Sequence, residues 1–100
     1  MDPRKWRKDF PILEDKTLIY FDTAATSLKP SQVINKQSEY YEKYGVNVHR
    51  GLYNLSFVAT AEYEESRKLI ANFINADFKE IVFTRGASSA LNLVATSYGL

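Results

Sequence analysis

Apolar residues occur along the chain either at helical spacing or in compact runs, and these divide it into helical and extended segments. Ile81-Val82-Phe83 is a compact apolar run that predicts a short buried strand. Gly86 breaks the run and small residues follow. Leu91, Val94, Ala95 and Tyr98 then recur at i, i+3, i+4 and i+7, which puts them on one face of a helix. Leu18-Ile19-Tyr20-Phe21 predicts a second buried strand, ending at Asp22. Three more helices are predicted. A short one over residues 2–9 has Asp2 as its cap and Pro3 at its first position. One runs from Pro30 to a stop at Gly45, which suits a left-handed cap. A long one runs over 56–75 with Ser56 capping it. Val58, Ala61, Leu69, Ile70, Phe73 and Ile74 form its apolar side. Glu62, Glu64, Glu65, Arg67 and Lys68 read as its solvated face, with Glu64 and Lys68 in the favourable i,i+4 order.

The junction at 84–90 is therefore strand, tight turn, helix N-terminus. The first N–H groups of a helix have no intrahelical partner and lie at the positive end of its dipole. With small residues there, a phosphate can approach the backbone closely, and Ser88 or Ser89 can add a hydroxyl. The alternative is that Ser88 simply caps the helix. A P-loop is excluded because the Gly-x4-Gly-Lys pattern is absent, and one glycine is too few for a dinucleotide fingerprint.

Bulk composition narrows the function classes. One hundred residues is one small domain, and 45% hydrophobic content can supply a core. A net charge of +1 gives no electrostatic case for nucleic acid or an acidic membrane. Cysteine is absent, so these residues hold no disulfide and no thiol nucleophile. The N-terminal residues lack the apolar core of a signal peptide, and no run reaches the roughly 18 apolar residues of a membrane span. A cytoplasmic protein is the expectation.

Two further loops carry candidate chemistry. Asp22-Thr23-Ala24-Ala25-Thr26-Ser27 is small, polar and free of glycine, which suits either a plain connection or a loop against which a ligand lies. His49 and Arg50, in a loop closed by Gly51, make an anion- or carboxylate-facing pair, because arginine offers a bidentate fork. His49 is the only histidine, which argues against a zinc site. The cluster Tyr40, Tyr41 and Tyr44 reads as packing.

Several stretches, taken in order, resemble one family. Tyr20-Phe21-Asp22-Thr23-Ala24-Ala25-Thr26-Ser27-Leu28-Lys29-Pro30 resembles the entry loop of class V, fold-type I pyridoxal-phosphate enzymes. Val48-His49-Arg50-Gly51, with Leu55-Ser56 after it, is similar to group II cysteine desulfurases and selenocysteine lyases. Phe73-Ile74-Asn75-Ala76, then Ile81-Val82-Phe83-Thr84-Arg85-Gly86 and Leu91-Asn92-Leu93-Val94-Ala95, continue the match, so it covers residues from about 10 to 100.

The resemblance implies an α/β fold. The chain would be an N-terminal fragment of a fold-type I enzyme, mostly helical with two short strands. Residues 1–29 would be an N-terminal segment with the substrate-side loop, and 30–100 the incomplete start of the large cofactor domain. Gly86, Ala87 and Ser88 would hold the phosphate of pyridoxal 5′-phosphate, and Ala24, Ala25, His49 and Arg50 would face the substrate. Family members often carry Thr-Thr-Glu where this chain has Ala87-Ser88-Ser89, so the first hydroxyl and the acid are missing. The implied activity of the whole protein is conversion of L-cysteine to L-alanine by a homodimer. Sulfur would pass to an enzyme cysteine and on to a sulfur-acceptor protein. The lysine that carries the cofactor and the cysteine that takes the sulfur would lie beyond these residues, so no catalytic residue falls here. A selenocysteine lyase or aminotransferase would share these stretches. Taken alone, the chain also reads as a non-catalytic helical interaction module.

Overall fold

The computed structural model describes residues 2–98, so the final two positions of the resemblance and of the 30–100 division lie outside the described residues. It is helical. Helix α1 spans Pro3–Arg7, α2 Ser31–Glu39, α3 Asn54–Ile74 and α4 Ala87–Tyr98. The chain divides into two compact units between Asn47 and Val48.

In the first unit, α1 begins as its sequence dictates. Asp2 accepts the Arg4 N–H at 3.0 Å and Pro3 fills the first turn, where a missing N–H costs nothing. Arg7 then donates to the carbonyls of Asp15 and Leu18, both at 3.0 Å, pinning the segment that follows α1. The Ser31 N–H bonds the Asp9 carbonyl at 2.7 Å, which fixes the start of α2. Pro30 sits just outside α2 as its cap residue. At Tyr40–Tyr44 the helix widens into one π-helical turn, and Tyr40 meets both Tyr41 and Tyr44 edge to face. The tyrosines do pack, with Tyr44 buried. Gly45 closes this helix at φ −69°, not in the left-handed conformation expected. Glycine suits the position because an added Cβ would lie 3.0 Å from the Tyr40 carbonyl oxygen and 3.3 Å from Tyr41 Cα.

The second unit is built on α3. This helix starts at Asn54, two residues before Ser56, and Tyr53 caps it without a side-chain bond. Ser56 is therefore not the cap: it lies inside the first turn and is buried. Asn75 ends α3 at φ 56°, and the capping box of Asp77 and Glu80 turns the chain into a short 3-10 turn, Phe78–Glu80. Ile81 is extended (φ −95°, ψ 122°) and buried.

Neither predicted strand forms. Among the described residues no strand is present, and 18–21 and 81–83 are extended but unpaired. A strand exists only through its ladder, and parallel strands need neighbours joined by long crossovers. The apolar character of these segments is real, but no second strand is supplied to meet it. Burial accordingly stays small: among the described residues the buried hydrophobic side chains are Tyr44 in the first unit and Ala59, Ala71 and Ile81 in the second. Phe21, Leu52, Phe73 and Tyr98 are each at least 90% exposed, so apolar faces stand open in both units.

Candidate functional site

Gly86, Ala87 and Ser88, the residues expected to hold a phosphate, lie together at the start of α4. The Gly86 carbonyl takes the first bond of that helix, from the Ala90 N–H at 3.0 Å, and also accepts the Thr84 hydroxyl at 3.2 Å. The N–H groups of Ala87, Ser88 and Ser89 precede that first bond and have no partner among the described residues. Ser88 sits inside the first turn with its hydroxyl exposed and unbonded, so it does not act as a side-chain cap. No acidic side chain occupies the first turn, and a Cβ placed on Gly86 would meet nothing within 4 Å. Free donors, the dipole's positive end and open space together suit a phosphate dianion.

The residues expected to face substrate, Ala24, Ala25, His49 and Arg50, fall in two loops, one in each unit. In the first unit Ala24 and Ala25 are exposed on a turn whose Ala25 and Thr26 N–H groups both reach the Asp22 carbonyl at 3.1 Å. The Tyr20 hydroxyl bridges the Asp22 and Thr26 carbonyls across the turn. Lys29 closes its far side through the Thr26 hydroxyl and the Ser27 carbonyl.

In the second unit His49 and Arg50 lie on a loop docked along α3. One stripe of that helix carries Ser56, Thr60, Tyr63, Glu64 and Arg67, at helical spacing. The Gly51 N–H donates to the Ser56 hydroxyl oxygen at 3.1 Å and the His49 N–H to that of Thr60 at 3.0 Å. Thr60 in turn donates to the Ser56 carbonyl at 2.7 Å. The His49 ring stands edge-on to Tyr63 at 5.5 Å, and its Nε2 lies 3.5 Å from Glu64 Oε1. His49 has φ 69°, a left-handed conformation rare outside glycine, and such outliers cluster where a loop is held for use. Arg50 is exposed, with no charged or hydrogen-bonded partner among the described residues, so its fork is available.

The same stripe reaches the phosphate turn's approach. Arg67 bonds Glu64 at 2.9 Å and donates to the carbonyls of Ile81 (3.0 Å from Nη2, 3.2 Å from Nε) and Phe78 (3.2 Å). Tyr63 meets Phe83 edge-on at 5.2 Å. The spacing of charges along 62–68 did not reveal this. Glu64 pairs with Arg67 and approaches His49, while Lys68 reaches Glu65 instead, at 3.7 Å. Glu64 and Arg67 are thus a half-buried pair and not part of a solvated face. The available signal was an arginine seven residues beyond Thr60 on its own face of the helix.

The free N–H groups at the start of α4 are of the kind that bind a phosphate group. Residues 19–100 match the aminotransferase class-V family, and the chain belongs to it. Within that family its similarity is to desulfurases. It is 55% identical to a probable cysteine desulfurase of Pyrococcus abyssi over 93% of this chain and 23% of that protein. It is 50% identical to a probable cysteine desulfurase of Streptomyces coelicolor over 99% of this chain and 25% of that one. The apo structure of cysteine desulfurase from Thermococcus onnurineus NA1 superposes with a TM-score of 0.85 at 54% identity, over 95% of this chain and 24% of its own. The chain spans about a quarter of the length of the curated relatives it matches. Family members use pyridoxal 5′-phosphate, and the free N–H groups and hydroxyl at the start of α4 fit its phosphate. Among the described residues no cluster of acidic and histidine side chains could hold a metal ion, and no helix is long and apolar enough to cross a membrane.

Proposed function

We propose that this chain is the N-terminal part of a cysteine desulfurase that converts L-cysteine to L-alanine and passes sulfur to an enzyme cysteine outside these residues. The observation that carries the reading is identity of 50–55% to cysteine desulfurases along nearly all of the chain. The donor-rich turn supports it.

Residues 1–29 supply the N-terminal segment and substrate-side loop, and 30–100 begin the cofactor domain. Pyridoxal 5′-phosphate, when bound, supplies the electron sink that labilises bonds at the amino acid's α-carbon. This chain contributes grip and orientation. Backbone N–H groups at Gly86, Ala87 and Ser88, with the Ser88 hydroxyl, hold the phosphate. Ala24 and Ala25 belong to the substrate-side loop, and Arg50 with His49 orients the substrate carboxylate. The enzyme works as a cytoplasmic homodimer that delivers sulfur to an acceptor protein for uses such as iron–sulfur cluster assembly.

The full-length protein, loaded with cofactor and given L-cysteine and a thiol, should release alanine and sulfide in equal amounts. Release of selenide alone from selenocysteine, or amino transfer to a keto acid, would overturn the desulfurase reading. For the grip itself, Ser88→Ala removes one hydrogen bond to a dianion and should weaken cofactor binding by about 1.5–3 kcal/mol. Equilibrium dialysis of the cofactor checks this. An unchanged dissociation constant removes Ser88 from the site.

A further inference from the structure

Glu64 has no part in the function proposed above, yet its carboxylate meets both the His49 imidazole and the Arg67 guanidinium. Both of its oxygens accept from Arg67 Nη1, Oε2 at 2.9 Å and Oε1 at 3.2 Å, and Oε1 also lies 3.5 Å from His49 Nε2. Arg67 grips the carbonyls of Phe78 and Ile81, from which the chain runs on to Gly86. Glu64 and Arg67 are only 26% and 22% exposed. A guanidinium so placed, with neutral carbonyls as its other acceptors, needs an anion, and Glu64 is that anion. Oε1 is shared between that guanidinium and the imidazole edge. His49 meanwhile holds a left-handed backbone that costs a non-glycine residue on the order of 1 kcal/mol or more, so contacts must keep it there. Those contacts come from α3: Thr60 on the His49 N–H, Tyr63 on the ring edge and Glu64 at Nε2.

We infer that Glu64 is a positioning residue: it fixes the His49 imidazole and, through Arg67, ties the His49 loop to the segment leading into the phosphate turn. This rests on the substrate-side reading of His49. The two can fail separately.

The test uses the full-length, cofactor-loaded enzyme in a double-mutant cycle of Glu64→Gln and His49→Gln. Glutamine keeps the shape and an acceptor for Arg67 but removes the charge. Glu64→Gln should raise KM for L-cysteine about 2- to 5-fold, the range of a partly exposed charged contact, with kcat changed less. In the His49→Gln background the same substitution should have no further effect. An equal effect in both backgrounds would overturn the inference and leave Glu64 as a strut for Arg67 alone. Glu64→Asp is the companion variant should the glutamine destabilise the fold, because it keeps the charge near Arg67 while withdrawing from His49. The second readout is NMR of 13C-labelled histidine, with the His49 signal assigned by its loss in His49→Gln. That signal should move in Glu64→Gln and stay in place in Glu65→Gln, whose carboxylate is exposed and pairs with Lys68. If His49→Gln leaves KM unchanged, the substrate-side reading fails, and the imidazole signal then decides: movement upholds the positioning role and no movement ends it.

Discussion

The loop carrying Ala24 and Ala25 is held from within, and the loop carrying His49 and Arg50 is held from outside. In the first, the side-chain ties span six residues or fewer: Tyr20 to Asp22 and Thr26, Lys29 to Thr26 and Ser27. In the second, the ties run to α3 across five to fifteen residues, from Gly51 to Ser56, His49 to Thr60 and His49 to Glu64. A locally stapled turn keeps its shape with little help and is exposed throughout. A docked loop can carry a strained residue such as His49, because a rigid helix over-determines its position. It fails when that helix face is disturbed.

The largest expected effect breaks the docking. A Cβ at Gly51 would collide with the Ser56 side chain and come within 2.8 Å of the Tyr53 ring. Gly51→Ala should therefore destabilise the full-length protein by about 2–3 kcal/mol, as overpacking does, and raise KM for substrate through the displaced loop. A thermal midpoint equal to the parent's would show that the loop adapts freely. Ser56→Ala leaves the Gly51 N–H without its acceptor at a buried position and should cost about 1–2 kcal/mol by denaturant titration. No loss would mean that water replaces the hydroxyl.

Smaller effects belong to the first loop. Tyr20→Phe removes the hydroxyl from an exposed turn whose backbone bonds remain, so about 0.5–1 kcal/mol is expected. A loss as large as that of Ser56→Ala would erase the contrast between the loops. The smallest effect is a pH dependence just upstream. The Thr17 hydroxyl and N–H donate to Asp15 at 2.6 and 2.9 Å, and with a lesser pull from Arg7 they hold its carboxyl below the usual 3.8. A carboxylate lowered on folding stabilises the folded state above its unfolded value, and that contribution is lost as pH falls through the lowered one. The turn at 15–17 should therefore loosen only below pH 3.8. Thr17→Val should return the Asp15 carboxyl toward its ordinary titration, read by carbon NMR. An unchanged titration would assign the lowering to Arg7.

By itself the sequence determined the local events. Asp2 and Pro3 start α1, apolar spacing sets the bodies of α2, α3 and α4, and Gly86 followed by small residues makes the donor-rich turn. Each is decided within about one helical turn, where spacing and capping chemistry suffice. Motif order also carried the family, which is why Gly86, Ala87, Ser88, Ala24, Ala25, His49 and Arg50 could be singled out. The tertiary structure decided what depends on partners distant in the chain. It made Glu64 and Arg67 a half-buried pair, set His49 at φ 69° and moved the start of α3 ahead of Ser56. It also left 18–21 and 81–83 as extended chain, because an apolar run states what it would bury but cannot supply the neighbouring strand that makes it a sheet.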